Sequence, residues 1–389
     1  MKVILSIEAV HPPLAGIGRY AWELATRLPK HAEIEDVRYM ADGFWRNLPD
    51  LSTVAANSEP AISAPPVDLK TRLRRRLGRI PVLASLYQKI KPGITSSRLD
   101  GLAEGIFHGP NFFVPATHLP SVVTIHDLSI YRYPQWHPQA RIERMRRDIP
   151  EAIERANAII TVSESVRQEV IREFNLPEQR VHAVLNGVDE AYRPYTAEQT
   201  LAVLSKVGLQ HGGYSLFVST VEPRKNLTNL LKAYRELPER ERFRYPLVIA
   251  GGGGWQSREI HADIDRAQNE GWLKYLGFVD QAILPHLYAG SRLFVYPSWY
   301  EGFGIPIAEA MASGVPVLTS NCSSMPEVAA GAAILTEPAD VDAIRLGLQQ
   351  GLFDDAWRAQ AVTQGLQRAA QLSWDKCVAD TIKVYTTIY

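Results

Sequence analysis

Short runs of apolar residues, many of them β-branched or aromatic, alternate along the chain with longer stretches in which apolar positions recur at helical spacing. This alternation predicts a parallel sheet with helices on both faces, and hence a doubly wound α/β fold. The runs fall into two series. The first comprises Val3–Ile7, Val122–Ile125, Ala158–Val162 and Val181–Val184, and the second comprises Leu216–Ser219, Leu247–Ala250, Leu293–Tyr296 and Val315–Thr319.

The two series predict two domains, each built around its own sheet. A chain of 389 residues is too long for one ordinary core and accommodates two domains of roughly 150–200 residues each. We place the first domain at residues 1–190 and the second at 191–373. The linker lies at about 188–212 and contains a polar helix, and the segment from about 354 to 389 has the composition of helices.

The charge balance narrows the class of partner. The chain has 42 Lys and Arg residues and 42 Asp and Glu residues, so its formal net charge is zero. This balance argues against a protein that binds nucleic acid through a general excess of positive charge.

Cysteine usage and hydropathy bear on the compartment. Two cysteines, Cys322 and Cys377, cannot make a disulfide framework, so reduced thiols in the cytoplasm are the simpler interpretation. The N-terminus lacks the long apolar region of a secretory signal, and no stretch reaches the roughly 18 apolar residues of a membrane span. The lone Asp-x-Asp, Asp263–Asp265, lies in a polar helical run, and the histidines lack metal-ligand spacing, so we expect no metal.

One segment departs from the overall charge balance. Between Lys70 and Arg98 the chain carries nine Lys or Arg residues and no acidic residue, with apolar residues interleaved at near-helical spacing. A basic amphipathic element of this kind can lie on an anionic membrane surface. The alternative is a solvated loop and helix near the pocket of a polyanionic substrate. In either case Arg74, Arg75 and Arg76 are candidate contacts for the acceptor or the membrane.

The strongest local motif lies at residues 298–316, between a predicted strand and a predicted helix. Its loop offers the backbone N–H groups of Gly302, Phe303 and Gly304, and Pro306 suits the first turn of the helix. Such a loop and a helix N-terminus together form a site for a phosphate group. Glu301 in the loop and Glu309 one turn into the helix can accept hydrogen bonds from sugar hydroxyls. Taken alone, the motif also fits an ordinary strand-to-helix crossover.

Further candidate residues follow other predicted strands. Arg224 and Lys225 come after Leu216–Ser219, at the carboxyl edge where ligands bind in such sheets, and two cations suit a diphosphate. Gly16 and Gly18, in a loop that opens a helix, allow a close approach to a ligand, although the full dinucleotide fingerprint is absent. His126, at the end of Val122–Ile125, can meet a substrate hydroxyl. The alternative is a structural histidine followed by a capping Asp127.

Together these motifs resemble glycosyltransferase family 4, the retaining enzymes of the GT-B fold. Glu301 and Glu309 match the family's pair of glutamates in the context Glu301-Gly-Phe-Gly304 and Glu309-Ala-Met-Ala312. The motifs Glu222-Pro-Arg-Lys-Asn226, Gly277-Phe-Val279, Asn186-Gly-Val-Asp189 and Gly16-Ile-Gly-Arg-Tyr20 also fit the family. The resemblance implies two Rossmann-like domains that face a central cleft, with the final helix at 374–389 packed back on the first domain.

The resemblance also implies roles for the candidate residues, with the donor mainly on the second domain and the acceptor mainly on the first. By this resemblance the donor diphosphate is bound by Arg224 and Lys225, with the N–H groups of Gly302, Phe303 and Gly304. Glu309 binds the ribose, Glu301 binds the transferred sugar, and the nucleobase is contacted by Gly277, Phe278 and Val279. The loop of Gly16 and Gly18 approaches the phosphates, and His126 lies near the sugar. The catalytic set on this basis is Glu301, His126, Arg224 and Lys225.

The resemblance to the family implies retaining transfer of a sugar from a nucleotide donor. A general likeness to bacterial mannosyltransferases of surface-polysaccharide assembly further implies a GDP-sugar that carries mannose or a related deoxyhexose such as rhamnose. The acceptor would be a glycan or a polyprenyl-diphosphate-linked glycan in bacterial O-antigen, lipopolysaccharide or exopolysaccharide assembly. No cofactor, metal or nucleic acid is expected. The expected location of the protein is the cytoplasm, or the inner face of the cytoplasmic membrane. The alternatives are a UDP-sugar donor, a GT-B-fold epimerase or phosphorylase, and a non-catalytic protein that binds sugar nucleotides.

Overall fold

A computed structural model describes residues 1–12, 14, 16–49 and 93–389. The candidates Arg74, Arg75 and Arg76 lie outside the described residues. The described strands are β1 Lys2–Ser6, β2 Asp36–Ala41, β3 Phe44–Arg46, β4 Ile106–Gly109, β5 Ser121–Ile125, β6 Ala158–Thr161, β7 Val181–Ala183, β8 Ser215–Val218, β9 Leu247–Ala250, β10 Leu273–Gly277, β11 Leu293–Tyr296, β12 Val317–Ser320 and β13 Ala333–Thr336.

These strands form two sheets. The first has seven strands in the order β3-β2-β1-β4-β5-β6-β7, and the second has six in the order β10-β9-β8-β11-β12-β13. Every pair is parallel except β2 with β3. In each sheet the order reverses beside a central strand, as in doubly wound folds.

Helices connect the parallel strands and cover both sheets. Among the described residues, the helices are Ile17–Arg27, 93–99, Ser129–Arg132, Gln139–Arg155, Glu164–Phe174, Ala197–Lys206, Leu227–Arg235, Glu239–Arg244, Arg258–Asn269, Leu284–Ala289, Ile305–Ala312, Met325–Ala329, Val341–Phe353, Asp355–Ala369 and Trp374–Thr386. Short 3₁₀ turns lie at Leu28–Lys30, Pro134–Trp136, Glu178–Arg180 and Pro223–Lys225. In the described part of the chain, no helix has the length and hydrophobicity needed to cross a membrane.

The apolar pattern does not mark every strand. Strand β2 carries the charged residues Asp36 and Arg38 and is only partly buried. Strand β10 lies at a sheet edge and contains Lys274, and β4 is a short central strand that includes His108. The strands that the pattern does predict lie within about two residues of their observed ends, the usual scatter of such boundaries.

The helix Trp374–Thr386 completes the core of the first domain. Trp374, Cys377 and Tyr385 are buried in the same apolar cluster as β1. The Tyr385 hydroxyl lies 2.6 Å from Nδ1 of His108, whose Nε2 lies 2.8 Å from the Thr124 hydroxyl. Since these groups are buried, their mutual hydrogen bonds satisfy polar atoms that would otherwise be costly in the core. Burial lowers the pKa of His108 to about 3, so this histidine is neutral.

The chain crosses between the two domains at two adjacent places. Val188 forms a β-bridge with Ser373, and the Val188 N–H donates to the Leu372 carbonyl oxygen at 3.0 Å. A Cβ on Gly187 would lie 2.1 Å from the backbone nitrogen of Trp374, so only glycine permits this approach. The two crossings therefore form one paired connection beside the cleft.

Candidate active site

The carboxyl ends of the two sheets face each other across the cleft. His126 and Asp127 follow β5, and Ser163 follows β6. On the opposite side, residues 220–226 follow β8 and residues 297–304 follow β11. The Ser163 hydroxyl donates to the Gly302 carbonyl oxygen at 2.6 Å, so the two edges are in direct contact.

The turn after β8 is held in place by an asparagine at its end. Asn226 adopts a left-handed conformation with φ 59°, which ends the 3₁₀ turn Pro223–Lys225. Its buried amide nitrogen donates to the carbonyl oxygens of Pro297 at 2.9 Å and Pro338 at 2.7 Å. Arg224 and Lys225 are thereby fixed beside the loop that follows β11.

Arg224 and Lys225 converge on one carboxylate. The Lys225 ammonium donates to Oε1 of Glu301 at 2.7 Å, and Nη1 of Arg224 lies 3.1 Å from Oε2 of the same residue. The other arm of Arg224 donates to Oε1 of Glu222 at 2.9 Å. Lys225 also donates to the Tyr296 hydroxyl at 2.7 Å. Glu222, Lys225 and Glu301 are buried and Arg224 is partly buried, and every charge in this group is paired, as buried charges must be.

Charge pairing controls the protonation of this group. Burial alone would raise the pKa of Glu301, but the neighbouring Arg224 and Lys225 outweigh it and lower that pKa to about 2. Burial, together with the like charge of Arg224, lowers the pKa of Lys225. For Arg224, burial opposes the charged form, yet Glu301, Asp127 and Glu222 raise its pKa. Glu301 is therefore a carboxylate across the physiological pH range.

The loop that carries Glu301 is fixed by two serines that follow β12. The Ser324 hydroxyl donates to the carbonyl oxygens of Glu301 at 2.9 Å and Phe303 at 2.8 Å, and the Ser323 hydroxyl donates to the Glu301 carbonyl. Gly304 has φ 96°, which favours glycine, and caps the helix Ile305–Ala312. Among the described residues, the N–H groups of Gly302, Phe303 and Gly304 donate to no protein acceptor. A loop with unpaired N–H groups at a helix N-terminus is the arrangement that suits an anion, so the predicted phosphate contact stays a prediction.

Glu309 lies one turn into that helix, partly buried between two tyrosines. Burial raises the pKa of Glu309 to about 7, although the hydroxyls of Tyr288 and Tyr192 and the charge of Arg19 act in the opposite direction. The Tyr288 side chain is fully buried, and its hydroxyl lies beside the Glu309 carboxyl. Arg19 reaches this place from the first domain and is held by an ion pair with Asp189.

The raised pKa of Glu309 predicts a pH-dependent stability. Between about pH 4.5 and 7 the folded state holds more protons than the unfolded state, so the free energy of unfolding falls as pH rises through this window. Glu309→Gln removes this dependence. We expect the variant to be more stable than the wild type at pH 8, by up to about 3 kcal/mol, and to lose this advantage near pH 4.

Urea unfolding at both pH values measures the effect. Glu154→Gln, at an exposed site, is the matched control. A Glu309→Gln advantage of the same size at both pH values would show that the carboxyl does not titrate in this range.

The predicted nucleobase contacts lie where β10 ends. Gly277 has φ 65°, and a Cβ there would meet no other atom within 4 Å. Its backbone therefore borders open space, whereas Val279 is buried in the core of the second domain. Phe278 is partly exposed. Gly277 and Phe278 remain able to meet a ligand directly, and Val279 holds the turn.

His126 is buried at the end of β5. Its Nε2 lies 2.7 Å from the Pro110 carbonyl oxygen, which can only accept, so Nε2 carries the proton and Nδ1 is the basic nitrogen. The rings of Tyr20 and Phe112 pack edge-on against it. Burial lowers the pKa of His126, so the ring is neutral.

The glycines of the first-domain loop differ in what they permit. A Cβ on Gly18 would lie 2.6 Å from the Ala9 carbonyl oxygen, so packing within the domain already requires this glycine. Gly16 has φ 49° with no atom within 4 Å of the Cβ position, and it keeps an open side. Gly302 of the second domain is required for contact between the domains, because a Cβ there would lie 1.9 Å from the His126 carbonyl oxygen across the cleft.

The sequence analysis assigned no role to Glu222, which it quoted only within a motif, and it considered Asp127 only as a capping residue. Glu222 holds Arg224. Asp127 Oδ1 accepts from the Ser129 N–H at 2.8 Å, and the Asp127 carboxylate also faces Arg224 across the cleft. A feature that the sequence analysis left out is the glycine run 251–254 after β9. Its signal was visible, since glycines that follow a strand mark a close backbone approach. A Cβ on Gly251 would lie 1.9 Å from the Ser219 carbonyl oxygen.

Metal-ligating groups are scarce. Within residues 1–12, 14, 16–49 and 93–389, no three His, Cys, Asp or Glu side chains are placed to hold a metal ion. Cys322 and Cys377 are free thiols.

Comparison with known families covers both domains. Residues 14–192 match the model described as "Glycosyltransferase Family 4", and residues 209–368 match that described as "Glycosyl transferases group 1". Over 386 residues the chain is 40% identical to "O-antigen chain mannosyltransferase B" of Escherichia coli, with 99% of each chain covered. It is 33% identical over 241 residues to "Serotype-specific mannosyltransferase WbdA" of Escherichia coli, which covers 60% of this chain and 29% of that relative.

Solved structures share the architecture. The Anabaena protein HepE, in complex with UDP and glucose, superposes with a TM-score of 0.70 and 17% identity over 100% of both chains. WaaG, a glycosyltransferase involved in lipopolysaccharide biosynthesis, superposes with a TM-score of 0.66 and 14% identity over 99% of this chain and 100% of that one. At these identities the likeness shows a common fold.

Proposed function

The chain is a glycosyltransferase that belongs to family 4 and has its GT-B fold, as the sequence motifs predicted, and from that membership we propose that it transfers mannose from GDP-mannose with retention of anomeric configuration. The acceptor is the growing glycan of an O-antigen chain, carried on a lipid diphosphate. The reaction needs no metal ion.

One observation carries the proposal. The match to an enzyme named as an O-antigen chain mannosyltransferase runs through 99% of both chains at 40% identity, so both domains are shared. A match limited to one domain would have supported the donor half or the acceptor half alone. Mannose is also in the names of further partial relatives.

The cation pair suits the departing nucleotide. As the bond between the sugar and the diphosphate breaks, negative charge grows on the phosphate oxygens. Arg224 and Lys225, with the free N–H groups of Phe303 and Gly304, supply fixed positive charge and donors there. Preorganised groups of this kind stabilise a transition state without reorganising at the moment of reaction.

Glu301 orients the sugar in this proposal. Its two oxygens accept from Arg224 and Lys225 in the absence of substrate, and each oxygen keeps a further lone pair for a sugar hydroxyl. A carboxylate held by two cations is a weak nucleophile. Retention is therefore assigned to attack on the leaving-group face, with a departing phosphate oxygen as the base for the acceptor proton. A double displacement through an enzyme carboxylate is the alternative.

The basic segment between Lys70 and Arg98 is proposed to meet the anionic membrane that holds the lipid-linked acceptor. Reversing the charge of Arg74, Arg75 and Arg76 should reduce co-sedimentation with liposomes that contain anionic lipid. Equal co-sedimentation of the variant and the wild type would remove the membrane role.

Donor turnover tests the function. The purified protein is incubated with GDP-mannose or UDP-glucose, with and without an α-mannose oligosaccharide, and nucleotide release and glycan mass are measured. We expect acceptor-dependent release of GDP and a product longer by one hexose, with an α linkage by NMR. Preference for UDP-glucose would show that the donor is a UDP-sugar rather than GDP-mannose. Epimerised nucleotide sugar would indicate an epimerase, and binding without turnover a non-catalytic protein.

A further inference from the structure

His137 is a buried histidine whose two ring nitrogens lack partners. Its side chain is 6% exposed, and neither Nδ1 nor Nε2 forms a hydrogen bond with any residue that the structure describes. It follows the 3₁₀ turn Pro134–Trp136 of the first domain. Buried polar atoms in native proteins are nearly always paired, so an unpaired imidazole needs an explanation.

The surroundings of His137 are aromatic and come from both domains. Trp136 stacks on Tyr133 with ring centroids 4.5 Å apart and lies 6.3 Å from Trp299 of the second domain. Trp255, also of the second domain, lies 6.1 Å from the His137 ring. All four aromatic rings are partly exposed. They form a cluster, here called the aromatic rim, of Tyr133, Trp136, Trp255 and Trp299.

Trp255 is the cover over His137. Its indole N–H donates to the Trp136 carbonyl oxygen at 2.6 Å, and the Arg141 guanidinium lies 5.4 Å above its ring. Trp255 directly follows the glycine run 251–254, in which Gly252 meets no atom within 4 Å of its Cβ position. A side chain on such a loop, tied across the cleft by one hydrogen bond, can be displaced by a ligand that offers the same contacts.

The composition of this place matches a sugar ring. A pyranose has an apolar C–H face that packs on aromatic faces, whose electron-rich centres favour polarised C–H groups. Its hydroxyls both donate and accept, as does a neutral imidazole. Ligand sites of this kind combine aromatic walls with a few convergent polar groups.

We propose that His137 and the aromatic rim form the subsite for the terminal pyranose of the acceptor glycan, with a ring nitrogen of His137 bound to a hydroxyl of that sugar. The proposal rests on the proposed function, since it identifies where the glycan acceptor is held. Trp255 occupies the subsite edge until the glycan displaces it.

The position of His137 and the aromatic rim favours binding of the acceptor rather than the donor. The diphosphate needs cations and free N–H groups, and those lie at Arg224, Lys225 and the loop before the helix Ile305–Ala312. His137 belongs to the first domain, as do Trp136 and Tyr133. Its charged neighbours are Arg141 and Asp127 of its own domain and Arg224 and Glu222 across the cleft. The subsite therefore adjoins the reacting centre without overlapping the phosphate contacts.

Steady-state kinetics with His137→Ala test the subsite. With GDP-mannose as donor and α-mannotriose as acceptor, we expect KM for mannotriose to rise about tenfold or more, the effect of losing one or two hydrogen bonds. KM for GDP-mannose and the slow release of GDP without acceptor should stay at wild-type values. His137→Gln, which keeps a donor and an acceptor, should recover part of the loss. His118→Ala, at an exposed histidine of the same domain, is the control.

A stability measurement separates binding from a structural role. Because His137 makes no hydrogen bond with any residue that the structure describes, His137→Phe should melt at the same temperature as the wild type or higher. A structural histidine would instead lose stability on this change. A lowered melting temperature together with an unchanged mannotriose KM would overturn the proposal.

A binding readout distinguishes failure of the subsite from failure of the proposed function. Calorimetry with α-mannotriose alone needs no turnover, and we expect binding to the wild type and weakened binding to His137→Phe. If the wild type releases no GDP from GDP-mannose, the proposed function fails, yet this binding difference would still support the subsite. No binding of mannotriose to the wild type at millimolar concentration, or equal binding to both proteins, would overturn it.

Discussion

Replacing either Arg224 or Lys225 by alanine is expected to lower kcat by about two orders of magnitude, the scale of losing one preorganised donor in an active site. Lys225 is buried, Arg224 is partly buried, and both are fixed on Glu301, so neither reorganises when charge appears on the leaving diphosphate. The effect should fall mainly on kcat because the charge is larger in the transition state than in the bound donor.

Initial rates of GDP release from GDP-mannose, with acceptor in excess, measure the effect. Lys232→Ala is the control, since Lys232 is exposed on the helix that follows this turn. Melting temperatures of all variants identify any loss that comes from unfolding. Wild-type rates in both Arg224→Ala and Lys225→Ala would show that neither cation meets the developing charge.

Glu301→Gln is expected to reduce stability and activity together. The amide leaves Arg224 and Lys225 without their shared negative charge, and breaking a buried pair in this way typically costs about 3–5 kcal/mol. The lowered pKa of Glu301 determines how its contribution to the free energy of unfolding depends on pH. Its contribution is fully present above the unfolded value of 4.5 and is lost as pH falls towards about 2.

Urea unfolding of the wild type and Glu301→Gln at pH 7 and at pH 3 measures this contribution. We expect a difference of about 3 kcal/mol at pH 7 that shrinks at pH 3. Glu190→Gln, at an exposed position before the second domain, should match the wild type throughout. A difference that does not change with pH would mean that the deficit arises from packing rather than from charge.

Much of the fold follows from local pattern, and so does the position of the principal site. The runs that became β5, β6, β8, β9, β11 and β12 are short, apolar and bounded by turn residues. Glu301, Glu309, Arg224 and Lys225 follow such runs, so their place at the carboxyl edge could be deduced before any coordinates. The ion pairs between these side chains could not be deduced from the sequence. Lys225 and Glu301 are 76 positions apart, and a distance of 2.7 Å between them depends on the whole sheet.

Contacts between the domains were beyond the reach of the sequence. The unpaired state of His137 depends on Trp255, which lies in the other domain. The raised pKa of Glu309 likewise depends on burial beside Tyr192, which belongs to the linker. No local pattern reports whether a polar side chain finds a partner, because its neighbours are chosen by tertiary packing.

The paired crossing at Val188 and Ser373 also affects how the protein is made. The first domain is discontinuous, because its core takes in Trp374, Cys377 and Tyr385 from the far end of the sequence. During synthesis, the second domain emerges in full before those residues do. Until the helix Trp374–Thr386 is made, the first domain lacks the residues that cover His108 and Tyr20. The second domain, by contrast, can fold as soon as it emerges. The first domain, although encoded first, is therefore completed only after the second domain has emerged.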